Sequence, residues 1–355
     1  MPSRCPSSLS SRWLLIHGNS KPNETKMNRR LYLIIISIFL LLPSCLREVD
    51  LSEYSIPARM VMNADVVAGQ PLSLTLSKTW FIGTKHPNLG LEGAEIQLYV
   101  NGTWAEEMVP LSTDSAGTVY CAAYIPKVGD VVRLEATREG YPDVVAEDVV
   151  PSAPQITAHQ FVWEEATPED TISYSPWINA PRGEGVFTFR DSAGEPNYYA
   201  LALYAQDTLM ERPMFCSSLY MSDDILEKEQ EGILEGIFSD SFGGSGALTA
   251  QIFTDETIDG QTYTLSFSAA NSYFLLDENL HLEHGGQYYL RVYSLSETYY
   301  RFLKSLQNYS YDNILQDFAN QGMSDPFLLF SNVEGGIGLV GGLHYTDIPL
   351  GPFYP

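Results

Sequence analysis

Leu72-Ser73-Leu74-Thr75-Leu76-Ser77 decides the fold class. Three leucines alternate with three hydroxyl residues, so one face of the segment is apolar and the other polar. That is the period-2 pattern of a half-buried β-strand. Working outward, further strands are expected at Arg59–Asp65, Glu95–Val100, Glu106–Leu111, Thr118–Tyr124, Val131–Thr137 and Val144–Val149. Turn residues separate them: Ala68-Gly69, Asn88-Leu89-Gly90, Asn101-Gly102, Ser115-Ala116-Gly117, Val128-Gly129-Asp130 and Glu139-Gly140. Asn101-Gly102 is a strong hairpin signal, because both residues tolerate positive φ. Seven short strands with regular turns over residues 58–151 predict an immunoglobulin-like or transthyretin-like β-sandwich. The Cys…Trp…Cys signature of true immunoglobulin domains is absent. Pro151-Ser152-Ala153-Pro154 breaks the pattern and is the expected domain boundary.

A larger β-rich domain is expected over 155–346. Its candidate strands are Ile156–Trp163, Gly185–Phe189, Tyr198–Ala205, Ile233–Phe238, Leu248–Phe253, Tyr263–Ala269, Gln287–Leu295, Phe327–Ser331 and Ile337–Tyr345. Tyr220 to Glu231 reads as a polar loop or short helix. One amphipathic helix is expected at about 295–319. Ser294-Leu295-Ser296-Glu297 fits a capping box with Ser294 as the cap. Tyr299, Phe302, Leu303 and Leu306 then recur at helical spacing, a stripe that packs on the sheet. Residues 347–355 are expected to be a tail. The fold class is therefore mostly β: an N-terminal sandwich, then a β-rich domain with one helix.

The N-terminal segment carries a different signal. Met27-Asn28-Arg29-Arg30 is a positive n-region, and Leu31–Leu42 is an apolar run with one serine. That run is too short to cross a hydrocarbon core, which takes about 20 apolar residues, but it suffices for a secretory signal. Leu42-Pro43-Ser44-Cys45 resembles the bacterial lipobox, in which a cysteine thiol takes up diacylglycerol before the peptide is cut. A plain secretory signal, a signal anchor and a buried strand are the other readings of the run. The order of charge, apolar run, small residue and cysteine favours a lipoprotein signal over 27–44, with Cys45 the lipidated (palmitate-bearing) first residue. Residues 1–26 fit no part of a signal peptide and read as an over-long start. Residues 45–57 are an acidic tether.

The 355 residues hold 44 acids against 20 bases, a net charge of −24. Six of the bases and one acid precede Cys45, so the body behind it is more acidic still. Such a surface is repelled by nucleic acid and by anionic lipid, and it attracts cations. Two cysteines lie in the body, Cys121 and Cys216, without a spacing pattern; two free thiols and one bridge both remain open.

The candidate chemistry is sparse. Gly336-Ile337-Gly338-Leu339-Val340-Gly341 matches GxGxxG, but the dinucleotide fingerprint needs a helix directly after it and an acid about 20 residues on. A glycine-rich strand or bulge is expected instead. Gly243-Gly244-Ser245-Gly246-Ala247 imitates a nucleophile elbow between two strands and reads as a hairpin. His281, Glu283 and His284 are weak candidate metal ligands; on a strand His284 would point away from the other two. No cofactor and no catalytic set is expected. Tyr198-Tyr199, Tyr288-Tyr289 and Tyr299-Tyr300 each send one ring to each face if they lie in strands, so outward rings lining a partner surface are weighed against core packing.

Several of these stretches together resemble a known family. The residues are the lipobox at Cys45, Ala146-Glu147-Asp148-Val149-Val150-Pro151, Asp191…Glu195-Pro196-Asn197-Tyr198-Tyr199, Tyr299-Tyr300-Arg301-Phe302-Leu303, Asp325-Pro326-Phe327 and Ser331-Asn332-Val333-Glu334-Gly335-Gly336-Ile337-Gly338. The layout is similar to the Bacteroidota outer-membrane lipoproteins classed as domain-of-unknown-function family 4249. The Ser-Asn-x-x-Gly-Gly-x-Gly stretch is the most specific part; Leu339-Val340 stand where members often have a phenylalanine. Glu48 and Asp50 look similar to the acidic signal for surface export in that phylum. The resemblance implies an outer-membrane lipoprotein, often encoded beside a TonB-dependent transporter, and supplies no catalytic residues. The expected function is thus a lipid-anchored, non-catalytic binding accessory of a TonB-dependent uptake system, held to the membrane by Cys45. A structural or adhesive surface lipoprotein is the alternative.

Overall fold

In the computed structural model the described residues are 56–81, 84, 87–164, 182–207, 213–216, 219–221, 234–235, 247–248, 251–270, 286–308 and 329–352. All fall within one compact unit, Tyr54–Pro355. Ahead of Pro151 the strands are β1 (Met60–Val67), β2 (Ser73–Lys78), β3 (Glu95–Val100), β4 (Thr103–Glu107), β5 (Val109–Thr113), β6 (Thr118–Cys121), β7 (Val131–Thr137) and β8 (Val144–Val149). Behind it come β9 (Gln155–Trp163), β10 (Arg182–Arg190), β11 (Tyr198–Asp207), β12 (Met214–Cys216), β13 (Leu219–Met221), β14 (Leu234–Glu235), β15 (Ala247–Leu248), β16 (Gln251–Thr254), β17 (Thr262–Ala270) and β18 (Gly286–Leu295). The helix α1 (Glu297–Asn308) and β19 (Ile337–Pro352) complete the order.

The alternation in β2 does what its sequence dictates. Leu74 and Leu76 are fully buried, with Leu72 just ahead of the strand, while Ser73 faces solvent. Asn101 and Gly102 both adopt positive φ, 50° and 75°, and turn β3 into β4. A second consequence of local chemistry was not anticipated: Met108 is buried and divides the expected Glu106–Leu111 strand into β4 and β5, which join different sheets.

A nine-stranded sheet organises the molecule, in the order β12-β11-β18-β19-β1-β2-β6-β5, with β16 also paired to β11. Two four-stranded sheets, β4-β3-β7-β8 and β13-β17-β10-β9, pack against it. The first core joins Met60, Met62 and Val66 of β1 and Leu74 and Leu76 of β2 to Ile96, Leu98, Val132, Leu134 and Val144 across the gap. The second joins Leu201 and Leu203 of β11 and Leu290 and Val292 of β18 to Phe187, Phe189, Leu265 and Phe267. Along β19 the even-numbered Val340, Ile348 and Leu350 enter these cores in turn. The odd-numbered Leu339 and Leu343 point the other way, into a third core with Tyr299, Tyr300 and Leu303 of α1. The period of two thus sorts one strand's side chains between the small sheets and the helix.

The expected boundary at Pro151 does not separate two self-contained sheets. β1 pairs with β19 in parallel, from Val61↔Ile337 to Val67↔Leu343, so the first and last strands lie side by side in one sheet. Every other pairing among the described strands is antiparallel, as in β18 with β19. The expected tail is also corrected in part: β19 runs on to Pro352. Beyond Leu343 it has left β1 and, among the described residues, pairs with β18 alone, a setting in which Pro349 and Pro352 are tolerated.

The helix begins two residues later than expected. Ser294 and Leu295 still pair with His344 and Leu343 as the end of β18. Ser296 is the cap: its Oγ accepts from the N–H of Tyr299 at 3.1 Å, and Tyr299 stands where a capping box would have Glu or Gln. Cys121 and Cys216 are both free. They sit on β6 and β12, six strand positions apart, which at about 4.8 Å per step puts them far beyond disulfide reach. Burial pushes the Cys216 thiol up to about 12.

The start of β19 is held by the Ser331–Gly338 stretch. Asn332 Nδ2 donates to the Val340 carbonyl at 2.8 Å, and Asn332 Oδ1 accepts from the Val340 N–H at 3.0 Å, so its amide imitates a strand neighbour. Ser331 Oγ accepts from Gly338 N at 3.1 Å, and Asn63 Oδ1 accepts from Leu339 N at 3.1 Å. Gly338 has φ +128°, and a Cβ there would overlap the Met62 carbonyl. A Cβ at Gly342 would overlap the Val149 carbonyl, and one at Gly341 the Tyr299 ring. The GxGxxG match is therefore a strand, as expected, whose glycines make room for three neighbours. Replacing Gly342 by Ala, or Asn332 by Leu, is expected to cost about 2–3 kcal/mol in thermal or denaturant unfolding. Leu111→Ser, at an exposed position, should stay within about 0.5 kcal/mol.

Candidate functional site

Cys45, the His281, Glu283 and His284 set and the Gly243–Ala247 stretch lie outside the described residues. Tyr309 and Tyr311 do too. The other tyrosine pairs are described, and packing claims most of their rings. Tyr199, Tyr288, Tyr299 and Tyr300 are buried, and Tyr198 lies 4.8 Å from Tyr300, centroid to centroid, beneath α1. Tyr299 and Tyr300 are both buried because they lie on a helix wedged against the sheet, not on a strand.

Three acidic side chains converge where β10, β11, β16 and β17 meet. Asp191 follows β10, and Asp255 and Asp259 lie in the turn between β16 and β17. One carboxylate oxygen from each lies within 4.8 Å of the others. Asp191 and Asp255 are buried, at 3% and 5% exposure, and Asp259 is exposed. Nearby donors occupy much of the set. Asp191 accepts from Tyr199 Oη at 2.5 Å and from Gly260 N at 2.7 Å. Asp255 Oδ2 accepts from the N–H of Asn197 at 2.9 Å and from its side-chain Nδ2 at 3.1 Å. Asp259 Oδ1 accepts from Gly194 N at 2.8 Å.

Chemically, three convergent carboxylates are the oxygen donors a hard cation takes, though calcium completes six to eight ligands. Here the donors already facing them explain the burial: the acids tie the 191–197 loop to the 254–261 turn. Burial and the Asp191 hydrogen bond push the Tyr199 phenol well above its ordinary value. Asp191 and Asn197-Tyr198-Tyr199 stand out in the sequence, whereas Asp255 and Asp259 do not. Their Asp-x-x-x-Asp-Gly spacing, directly after an apolar strand, was the available signal.

A second buried acid joins three elements. Asp148, at the end of β8, accepts through Oδ2 from Ser296 Oγ and from Gly342 N, the latter at 2.7 Å. One carboxylate thus fastens a small sheet, β19 and the cap of α1. Burial raises its pKa above the ordinary aspartate range, against the hydrogen bonds that pull it down. Because the folded-state pKa lies above the unfolded one, this group's contribution to stability is full below the ordinary value of about 4 and is lost as pH rises through the folded pKa.

Two outward faces are open among the described residues. The sheet β13-β17-β10-β9 carries a shallow cavity of about 530 Å³ lined by Gln160, Val162, Glu184, Val186, Tyr220 and Ser266, among others. Beneath it Gly185 lies between Phe161 and Phe267, whose rings stack 5.4 Å apart over it. The sheet β4-β3-β7-β8 turns Trp104, Tyr99, Arg133 and Glu147 outward in one row. No helix among the described residues is long and apolar enough to cross a membrane.

A family model described as "Domain of unknown function (DUF4249)" matches residues 47–348. No curated protein matches the chain. Among solved structures it is similar to a DUF4785 family protein from Legionella pneumophila, at 10% identity and a TM-score of 0.23, over 68% of this chain and 53% of that one. It is also similar to a protein from Corynebacterium diphtheriae described as membrane anchored, at 13% identity and a TM-score of 0.18, over 68% and 55%. The chain spans about half the length of each, and likenesses this slight carry no argument.

Asp148→Asn keeps the acceptor oxygen and removes the titration. The stability of the parent relative to this variant should fall as pH rises above about 4, measured by thermal unfolding across a pH series. A difference that is flat with pH would contradict the assigned burial of charge.

Proposed function

The chain belongs to the DUF4249 family, and from that premise we propose that it is a lipid-anchored outer-membrane protein of the Bacteroidota type. Its role on this reading is non-catalytic: it binds a ligand or partner as the accessory of a TonB-dependent uptake system. The observation that carries the proposal is the order of Met27-Asn28-Arg29-Arg30, the apolar Leu31–Leu42 run and Leu42-Pro43-Ser44-Cys45. A thioether at Cys45 fixes the body to a bilayer. Two acyl chains give stable anchoring where one gives only marginal binding. The acidic tether keeps a body of like charge off the anionic lipid surface.

The β-rich body suits this role. Broad sheet faces offer area for recognition, while the buried carboxylates are already occupied by hydrogen bonds. The adhesive alternative needs a sheet edge that accepts a strand. β5 ends the long sheet, yet Pro110 and a bulge between Pro110 and Ser112 interrupt its pairing. Such features blunt that edge against strand addition, while β9 and β4, which end the two smaller sheets, carry no proline.

Replacing Cys45 by Ser is expected to abolish acyl modification, seen as loss of the lipid mass on the N-terminal peptide. It should also move the protein from the membrane fraction to the soluble one. Retention of the Ser variant in washed membranes would overturn the anchor. Quantitative purification from native membranes should recover a TonB-dependent transporter in near-stoichiometric amount; reproducible recovery without one would count against the accessory role.

A further inference from the structure

The outer face of β4-β3-β7-β8 is built from the strand registers. In one row Trp104, Tyr99, Arg133 and Glu147 lie side by side across the four strands, and in the next Glu107, Gln97, Glu135 and Val145. The row spans about 14 Å, the length of roughly four extended residues. Trp104 is 56% exposed, and its Nε1 donates to Gln97 Oε1 at 2.7 Å, which fixes the ring against the sheet. More than half of this large apolar ring is held in water by a hydrogen bond to a side chain of its own face.

The charges around it are one-sided. Glu95, Glu107 and Glu147 are exposed, and Glu135 is half-buried. Arg133 is the single base among the outward residues of these strands, and it is committed to Glu135, with Nε to Oε1 at 2.8 Å and Nη2 to Oε1 at 2.7 Å. Glu95, Glu107 and Glu147 make no ion pair among the described residues. Aromatic faces attract cations, and a guanidinium can lie flat on a ring while its edge pairs with a carboxylate. The face therefore complements a row of positive groups. A second copy of the chain, with its own net negative charge, is repelled.

We propose that this face docks an extended, arginine-rich segment of a partner protein, with guanidinium groups on Trp104 and Tyr99 and ion pairs to Glu107 and Glu147. The proposal is independent of the lipid anchor and of the accessory role. The test uses the full mature chain in detergent and titrates it with three probes: an alternating arginine–serine hexapeptide, its glutamate–serine counterpart and a neutral hexasaccharide. Isothermal titration should detect the arginine peptide alone, with binding that weakens as salt is raised.

Trp104→Ala should weaken that binding by about two- to fivefold, with no change in unfolding temperature. Glu107→Gln with Glu147→Gln should weaken it by a similar factor, while Glu184→Gln, on the other small sheet, leaves it unchanged. Absence of binding, equal loss on Glu184→Gln, or insensitivity to Trp104→Ala would overturn the proposal. Binding of the hexasaccharide that depends on Trp104, without binding of the arginine peptide, would reassign the face to a neutral sugar.

Discussion

The parallel pairing of β1 with β19 is the constraint on which the other packing depends. It joins strands about 276 positions apart along the chain, as in the hydrogen bond from Leu339 N to Asn63 Oδ1. Parallel neighbours cannot be linked by a tight turn, and closing so long a loop costs entropy before any contact is gained. The pair must therefore be reinforced, and the chain reinforces it with specific polar groups. Asn332 lends Val340 a second strand partner, Ser331 holds Gly338, and glycines at 338, 341 and 342 let Met62, Tyr299 and Val149 approach closer than any side chain would allow. Once that seam is made, β19 can feed side chains to all three cores.

This explains what was legible in the sequence and what was not. β3, β7 and β8 have the expected limits, because alternation and flanking turns are local signals. The split at Met108 was missed because the choice between two sheets is a tertiary one. Ser296 was passed over for Ser294 because both fit the cap chemistry, and only the pairing of Ser294 with His344 decides between them. The continuation of β19 to Pro352 is hidden by two prolines, which are tolerated where β18 is the strand's one partner among the described residues. β12 and β13, at three residues each, are too short to show a period. The aspartate set was half visible: Asp191 and Asn197 were noted together, but Asp255 and Asp259 reach them only through the pairing of β16 with β11.

The most specific stretch of the sequence, Ser331 to Gly338, turns out to have a physical cause that is not catalytic. Its serine, asparagine and glycines hold a strand start, and Glu334 exchanges backbone hydrogen bonds with Val145 at 2.8 and 3.1 Å. A motif that resembles a nucleotide loop in letters serves β-sheet assembly in space, because the glycines at 338, 341 and 342 face Met62, Tyr299 and Val149. Tyr299-Tyr300 likewise serve packing: the helical stripe expected to pack on the sheet includes Tyr299, and Tyr300 beside it is buried too.

Function must then be sought where polar and aromatic groups are not consumed by the fold. The buried acids are consumed: Asp148 holds a helix cap, and Asp191 and Asp255 hold a turn. Each costs desolvation, which the donors arranged around it offset, at Asp148 only in part. Trp104 is different, since more than half of its indole stays in water on a face that also carries four glutamates. A large aromatic ring left mostly in water is more economically explained by something outside the body. For a body this acidic, any surface that meets the outer face of β4-β3-β7-β8 has its charge set by the glutamates of that face.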